Sequence, residues 1–315
     1  MKLLPSSIRA GLLAGAFTLA SLSLSSTASA STVLIGEADA TNVRVDAQVS
    51  GTLLTLPLLL TEVDVLLNTT SALAPAPSAQ SSAVAAVGAT SGLLSANIGA
   101  QAAVASSGSN VDGDAGIRIT NGLAELESAT VGLGLTGLPA DLLALSLGGG
   151  DGLIIANSSI TGDGVDGMQP TAQSNLLATN STLGIEILGL AVPGINLGAL
   201  VAGTTATVDF LVDARDLLGT GTLIEGTITL LADETFTNPG AGTDDFFALA
   251  EATGLQVGIN ARAAIFALGV ATTDLQLNTT VVINETSALM ITPEPGKAVL
   301  LALGLVGLVI RRRRR

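Results

Sequence analysis

The 315-residue sequence contains no cysteine, histidine, tryptophan or tyrosine, and no lysine between residues 31 and 292. Each absence removes a chemistry. Without thiol or imidazole there is no cysteine nucleophile, no Ser-His-Asp triad and no imidazole metal ligand; without lysine the central region has neither a Ser-Lys dyad nor a Schiff base. No disulfide can brace the fold, so the chain must hold together by burying its abundant Leu, Val, Ile and Ala. The missing tryptophan and tyrosine count against an aromatic sugar platform, hence against a lectin or glycosidase, and against the girdles of an outer-membrane barrel.

Positive charge is confined to the two ends. Of twelve basic residues, two fall within 1–30 and six within 293–315, leaving Arg44, Arg118, Arg215 and Arg262 between them. Of twenty-six acids only Glu294 lies in those ends, so residues 31–292 carry twenty-five acids against four arginines, a formal charge of −21. Such a body is repelled by phosphate backbones, which argues against nucleic acid, and attracts cations.

The N-terminus opens with Lys2 and Arg9, continues with a small-residue apolar stretch from Ala10 to Leu24, and reaches Ala28-Ser29-Ala30. That order predicts a secretory signal peptide over 1–30, handled by the translocon and signal peptidase. At the other end, Pro293-Glu294-Pro295 precedes an apolar run from Ala298 through Leu303 to Ile310, followed by Arg311, Arg312, Arg313, Arg314 and Arg315. Five guanidinium groups cannot enter hydrocarbon, so the run predicts a membrane segment that stops at its arginines, with the cationic side inward and the body outside. As a helix the run spans roughly 20 Å at 1.5 Å per residue, against a hydrocarbon core of about 30 Å. Snorkelling of Lys297 and the arginines, with local thinning, closes the gap.

The tail resembles the PEP-CTERM sorting signal of bacterial surface proteins. The resemblance implies that Pro293, Glu294 and Pro295 are the motif handled by the membrane enzyme exosortase. It also implies that Ala298 to Ile310 is the membrane segment and that the five arginines are the retention charge. It further implies a destination at the cell surface or in an exopolysaccharide-associated matrix.

Between the signals, period-two patterns predict a mainly β body over 31–292. Val43, Val45, Ala47 and Val49 alternate with polar residues; Glu62 to Leu67 does the same, and Pro57 marks an edge strand or bend. Further strands are predicted over 94–105, 117–120, 129–135, 153–160, 184–190, 205–212, 221–232, 254–268 and 272–283. Two helices are predicted. One is 141–147, closed by Gly148-Gly149-Gly150; the other is 244–251, with acids at its start and Gly254 beyond its end. Residues 71–83 read as a connector and 162–174 as a loop where two lobes would divide. Recurrent strands with Gly, Asn and Asp turns point to a β-sandwich with Greek-key connections, with a parallel β-helix as the rival. These features resemble the choice-of-anchor domains of bacterial exported proteins, a likeness that assigns no functional residue.

Two turns could hold calcium through alternating Asp and Gly: Asp112-Gly113-Asp114, and Asp163 and Asp166 within 163–167. The same residues are also ordinary turn formers. Asp209, Asp213, Asp216, Glu234 and Asp244 could supply a carboxylate pair for hydrolysis, and Asp209 and Asp213 equally make a solvated strand face. Asn68, Asn157, Asn180, Asn278 and Asn284 each open an Asn-x-Ser/Thr triplet, which predicts exposed, turn-like positions. The leading expectation is a displayed, non-catalytic surface or matrix protein. A calcium-dependent binding or adhesive module comes second and a carboxylate hydrolase third.

Overall fold

A computed structural model describes residues 35–73, 78–110, 118–138, 140–148, 152–162, 168–176, 180–200, 203–237 and 247–291. Among them lie seventeen strands, one 3-10 turn at Leu197–Ala199 and no α-helix. β1 (Ile35–Leu53) and β2 (Leu56–Leu73) form a hairpin. In the second layer the chain passes through β3 (Ser78–Ser82), β4 (Ala86–Ser91), β5 (Leu94–Gln101), β6 (Val104–Asn110), β7 (Arg118–Leu126) and β8 (Ser128–Leu135). It continues through β9 (Leu143–Gly148), β10 (Ile154–Gly162), β11 (Met168–Ser174), β12 (Thr182–Ile187) and β13 (Leu190–Ala191). It returns as a meander of β14 (Thr205–Asp213), β15 (Gly221–Thr237), β16 (Phe247–Ala267) and β17 (Val270–Ile291).

Three antiparallel sheets result. The long sheet has the order β14-β15-β16-β17-β1-β2; a small-residue sheet has β11-β10-β7-β6-β3, and a leucine sheet has β13-β12-β9-β8-β5-β4. The two smaller sheets are halves of one layer. β5 runs into β6 and β7 into β8 with one or two residues between them, so the layer is creased rather than divided. Such short links keep both halves on the same side of the long sheet, where β6, β7 and β10 touch its lower strands and β4 and β5 touch β2. Every recorded pairing is antiparallel, which excludes the parallel β-helix for the described residues. Within the sheets β1–β2, β4–β5, β6–β7, β8–β9, β10–β11, β12–β13 and β14 through β17 are consecutive antiparallel neighbours, whereas β3–β6, β5–β8, β7–β10, β9–β12 and β17–β1 pair across intervening strands.

One row of residues governs the long sheet. In β1 the buried positions are Ala38, Ala40 and Asn42, then Val43, Val45, Ala47 and Val49, so the inward face changes from even to odd numbers at Asn42. β2 changes at Leu67 and Asn68, β17 at Ile283 and Asn284, and β16 at Gly254 and Leu255. In each strand two consecutive residues face the second layer. Asn68 and Asn284 make the change with left-handed backbones, φ 52° and 54°, a conformation asparagine tolerates better than most residues. The shift occurs in all four strands at one level, so the registers on either side stay matched: Thr41 pairs with Thr69 and Glu285, and Val43 with Leu67 and Ile283.

The interior differs on the two sides of this row. Under the leucine sheet, Leu133, Leu143, Leu145 and Leu147 meet Val45, Val65, Val257 and Leu277 in one cluster. Under the small-residue sheet the buried residues are Ala124, Ala156, Ser107 and Ser158 against Ala38, Ala40, Thr70 and Ala288, with Ile160 and Met290 the larger members. Here the layers approach closely. A Cβ placed on Gly122 would lie 2.4 Å from the Asp39 carbonyl oxygen of the facing layer. A layer held at side-chain distance on one half and backbone distance on the other must bend between them, which accounts for the crease.

Neither predicted helix is helical where it is described, and most of each is strand. Leu143, Leu145 and Leu147 point inward at period two along β9, and Ala248, Ala250 and Ala252 do so along β16, where residues 247–251 pair with β17. Residues 244–246 lie outside the described residues. The predicted strand 94–105 breaks at Ala102, φ 51°, because it crosses the crease. Residues 168–174, read as loop, form β11 against β10, and the connector 71–83 contains the end of β2 and all of β3. Pro57 lies on β2, the edge of the long sheet, as its missing N–H requires.

Candidate functional site

The sequence-predicted sorting and metal residues fall outside the described residues: Pro293, Glu294 and Pro295, the segment Ala298 to Ile310, the five arginines, and Asp112, Asp114, Asp163 and Asp166. Their described neighbours are informative. Arg118, which follows the first Asp-Gly turn, pairs in register with Gly162, which precedes the second, so both turns leave from adjacent strand ends. Ile35 pairs with Ile291 at that same level of β1 and β17. Among the described residues no helix is long and apolar enough to cross a membrane, and no three acidic side chains gather as a metal cluster.

The carboxylates considered for hydrolysis do not converge. Asp209 and Asp213 lie exposed on edge strand β14. Asp213 accepts from Arg215 Nη2 at 2.6 Å, and these hydrogen bonds hold its carboxyl down at about 2. Asp216 closes a turn by accepting from the backbone N–H of Leu218 and Thr220, at 2.9 and 2.8 Å. Glu234 accepts from the Ser174 N–H, and Asp244 lies outside the described residues. None of the four described carboxylates is set against another as an acid–base pair. A depression lined by Ser95, Leu135, Thr136, Leu138 and Asp141 is open and holds a single acid.

Arg262 and Arg44 pair with acids on the outer face. Arg262 reaches Asp274 at 2.7 Å and Glu225 at 3.2 Å, and Arg44 reaches Glu285 at 3.2 Å. Arg262 holds the Asp274 carboxyl below its ordinary range through hydrogen bonding. Glu251 is pushed up, first by burial and then by the charges of Glu285 and Asp233; Glu37 is pushed up by burial and by Asp39. These are outward carboxylates crowding one another, not a cleft.

The densest polar constellation is internal. Asn42 Nδ2 is within hydrogen-bonding distance of the Glu125 carbonyl at 2.9 Å, the Val104 carbonyl at 3.1 Å and Asn284 Oδ1 at 3.0 Å. Asn68 Nδ2 donates to Asn42 Oδ1 at 3.0 Å and to the Val84 carbonyl at 3.0 Å, while its Oδ1 accepts from Ser82 and from the Val84 N–H. Asn284 Nδ2 donates to the Ile154 carbonyl at 2.8 Å. Val104, Glu125 and Ile154 lie at the crease-side ends of β6, β7 and β10, and Val84 lies between β3 and β4, so the asparagines of one layer hold backbone carbonyls of the other along the crease. Chemically this row crosslinks; uncharged amides offer neither nucleophile nor base.

Asn68 and Asn284 are therefore buried, not exposed as their Asn-x-Thr triplets predict, whereas Asn278 is exposed. A signal for the row was present in the sequence: Leu67-Asn68-Thr69-Thr70-Ser71-Ala72-Leu73 matches Ile283-Asn284-Glu285-Thr286-Ser287-Ala288-Leu289 at five of seven positions.

No family model matches this chain, and no curated protein matches it. Among solved structures, a TodX deltaS2S3 mutant monoaromatic hydrocarbon channel aligns over 84% of this chain and 91% of its own, with 8% identity and a TM-score of 0.12. A score that low carries no structural argument. The described strands also bury apolar side chains between layers, whereas a membrane barrel turns them outward to lipid.

Proposed function

We propose that this chain is an exported, non-enzymatic surface or matrix protein. In this reading residues 1–30 are a leader, 31–292 an acidic two-layered β-sandwich body, and 293–315 a sorting and anchoring segment. The observation that carries it is the ordered tail: Pro293-Glu294-Pro295, the apolar run Ala298 to Ile310, and five terminal arginines. The pairing of Ile35 with Ile291 supports it, because both connections to the body then leave from one end, as a body held from that end needs. Asp213, Asp216 and Glu234 are each taken up by local hydrogen bonds, which supports a role without catalysis. Signal peptidase, the translocon, exosortase and membrane lipid are the partners this reading requires, with exopolysaccharide at the destination.

Mass spectrometry of the C-terminus from intact cells tests it. An end near Pro295, or an intact Arg315 recovered with membranes, is expected; full-length protein in the cytosol would contradict the proposal.

A second reading, calcium binding at Asp112, Asp114, Asp163 and Asp166, is favoured by the register pair Arg118–Gly162, which starts both turns from neighbouring strands. Calcium should then raise the melting temperature and chelator reverse it; equal melting curves would remove this reading.

A further inference from the structure

We propose that edge strand β14 is a homotypic docking strand, pairing antiparallel with β14 of a second copy about a two-fold axis at Phe210. A sheet edge invites pairing with other chains unless something blunts it, and the edges of this fold differ in that respect. β2 carries Pro57 and is flanked by β3, β4 and β6 of the second layer, and β11 carries Pro170. β13 has only two residues, while β3 and β4 have five and six. β14 has nine residues, Thr205–Asp213, with no proline, glycine or lysine and no register shift against β15. Its Thr, Val and Phe residues are good strand formers.

The edge itself specifies its partner. The Ala214 N–H donates to Thr222 at 2.8 Å, so even-numbered residues of β14 direct their N–H and C=O groups to β15 and odd-numbered ones direct theirs away. Thr205, Thr207, Asp209, Leu211 and Asp213 thus offer a row of donors and acceptors that no described strand takes up, and another strand matches such a row group for group. A closed two-fold pair sets the same edge against itself, antiparallel. With the axis at Phe210, Leu211 opposes Asp209 of the second copy and Thr207 opposes Asp213, so no acid stands directly opposite another. On the inner face the half-buried Val208 meets Val212 of the second copy, and Phe210 meets its equivalent. An axis at Asp209 would oppose two carboxylates, and one at Val208 would exchange Val212 for the smaller Ala206. The strand is therefore complementary to itself, which favours a second copy over an unrelated chain.

Charge and topology set how the pair behaves. Arg215 offsets Asp213 at 2.6 Å, which leaves Asp209 as the remaining acid of the strand. The acidic bodies still repel one another, over a range that physiological salt shortens to about 8 Å, so the pair should tighten as salt rises. Through β15 and β16, β14 lies at the level of Asp274 to Val282 of β17, in the half of the body away from Ile291. An antiparallel pair overlaps these halves and directs the two Ile291 ends apart. Where a tail holds each copy, such a pair joins two facing surfaces. That consequence rests on the anchoring reading; the pairing does not.

Because the chain has no cysteine, single thiols test the register. Full-length Asp209→Cys and Leu211→Cys are oxidised mildly in neutral detergent, each alone and then mixed. Opposed residues of a hydrogen-bonded pair lie about 5.5 Å apart between Cα atoms, within disulfide reach. The mixed disulfide should therefore exceed either like-with-like product at least fivefold. Thr130→Cys, on the exposed face of β8, should give none. In the cysteine-free chain, Leu211→Pro removes an outward N–H and Leu211→Asp sets an acid opposite Asp209. Each should raise the dissociation constant measured by sedimentation at least tenfold, with the melting temperature unchanged. Leu211→Asp keeps the backbone intact and carries the test if the proline disturbs the fold. Like-with-like products equal to the mixed one, equal cross-linking at 130, a monomer at every concentration, or weaker pairing at higher salt would overturn the proposal. None of these readouts depends on where the tail resides, so cytosolic full-length protein that still pairs would contradict the anchoring reading alone.

Discussion

Along β1, Val43, Val45, Ala47 and Val49 face a sheet lined with leucine, whereas Ala38 and Ala40, only a few residues earlier, face glycine and serine. The leucine half has the thickness of an ordinary sheet pair, near 10 Å, filled by interlocking side chains. The small-residue half brings backbones together, as the position of Gly122 against Asp39 and Ser287 shows. Both halves share the same long strands, so the change in spacing has to be absorbed somewhere, and the row Asn68, Asn42, Asn284 and Gly254 is where it happens. The difference teaches that side-chain volume, summed over a row, can fold a second layer without interrupting the first.

The two halves should respond oppositely to volume. Removing bulk from the leucine half, Leu145→Ala, leaves a cavity in a tightly packed cluster and should cost about 2–5 kcal/mol in urea unfolding. Adding bulk does the damage on the other side. Gly122→Ala sets a methyl against a facing carbonyl and should cost about 1–3 kcal/mol, while Gly132→Ala, which meets only the flexible Asp141 side chain at 3.4 Å, should change stability little. Similar losses for the two glycines would contradict the close approach. Smaller again is the effect of buried hydroxyls. Ser158 Oγ is buried without a hydrogen-bond partner beside Gly122, so Ser158→Ala should stabilise by about 1 kcal/mol, a gain that an unseen strong hydrogen bond would turn into a loss.

The smallest expected effects are electrostatic, on the solvent side of the long sheet, and should be blind to which half they occupy. Glu251 has its carboxyl raised by burial, so the fold favours its acid form; that contribution is complete below the ordinary carboxylate range and is lost as pH rises through the raised value. Glu251→Gln should therefore add a little stability at neutral pH and none at pH about 4. Asp274 has the opposite sign. Its contribution from Arg262 is present above the ordinary range and lost as pH falls through the lowered value, so Asp274→Asn should weaken the protein at neutral pH and still at pH about 4, the loss fading only at lower pH. Each change should stay under about 1 kcal/mol because both side chains reach solvent. Urea titrations at the two pH values check the signs.

The strand content was legible in the sequence because period-two patterns are local. Val43 to Val49, Glu62 to Leu67, 254–268 and 272–283 all read correctly as strands, and each reading stopped at the asparagine row. There the inward face changes parity, so a strand that continues to Ile291 looks, beyond Ile283, as though its pattern has ended. The same shift hid Ala248, Ala250 and Ala252, whose flanking acids and Gly254 imitate helix ends. Burial of Asn42, Asn68 and Asn284 was illegible locally, because their partners Val104, Glu125 and Ile154 are brought to them only by the second layer.

Native-state hydrogen exchange on Asn42→Ala tests most directly that the asparagine row couples the two halves. The substitution removes the amide that joins Asn68, Asn284 and the Glu125 carbonyl. Amides of β6, β7 and β10 should then open at a lower free energy than those of β5, β8 and β9, whereas all six should open together in the parent protein. Protection lost equally across both sheets, or not lost at all, would contradict the account.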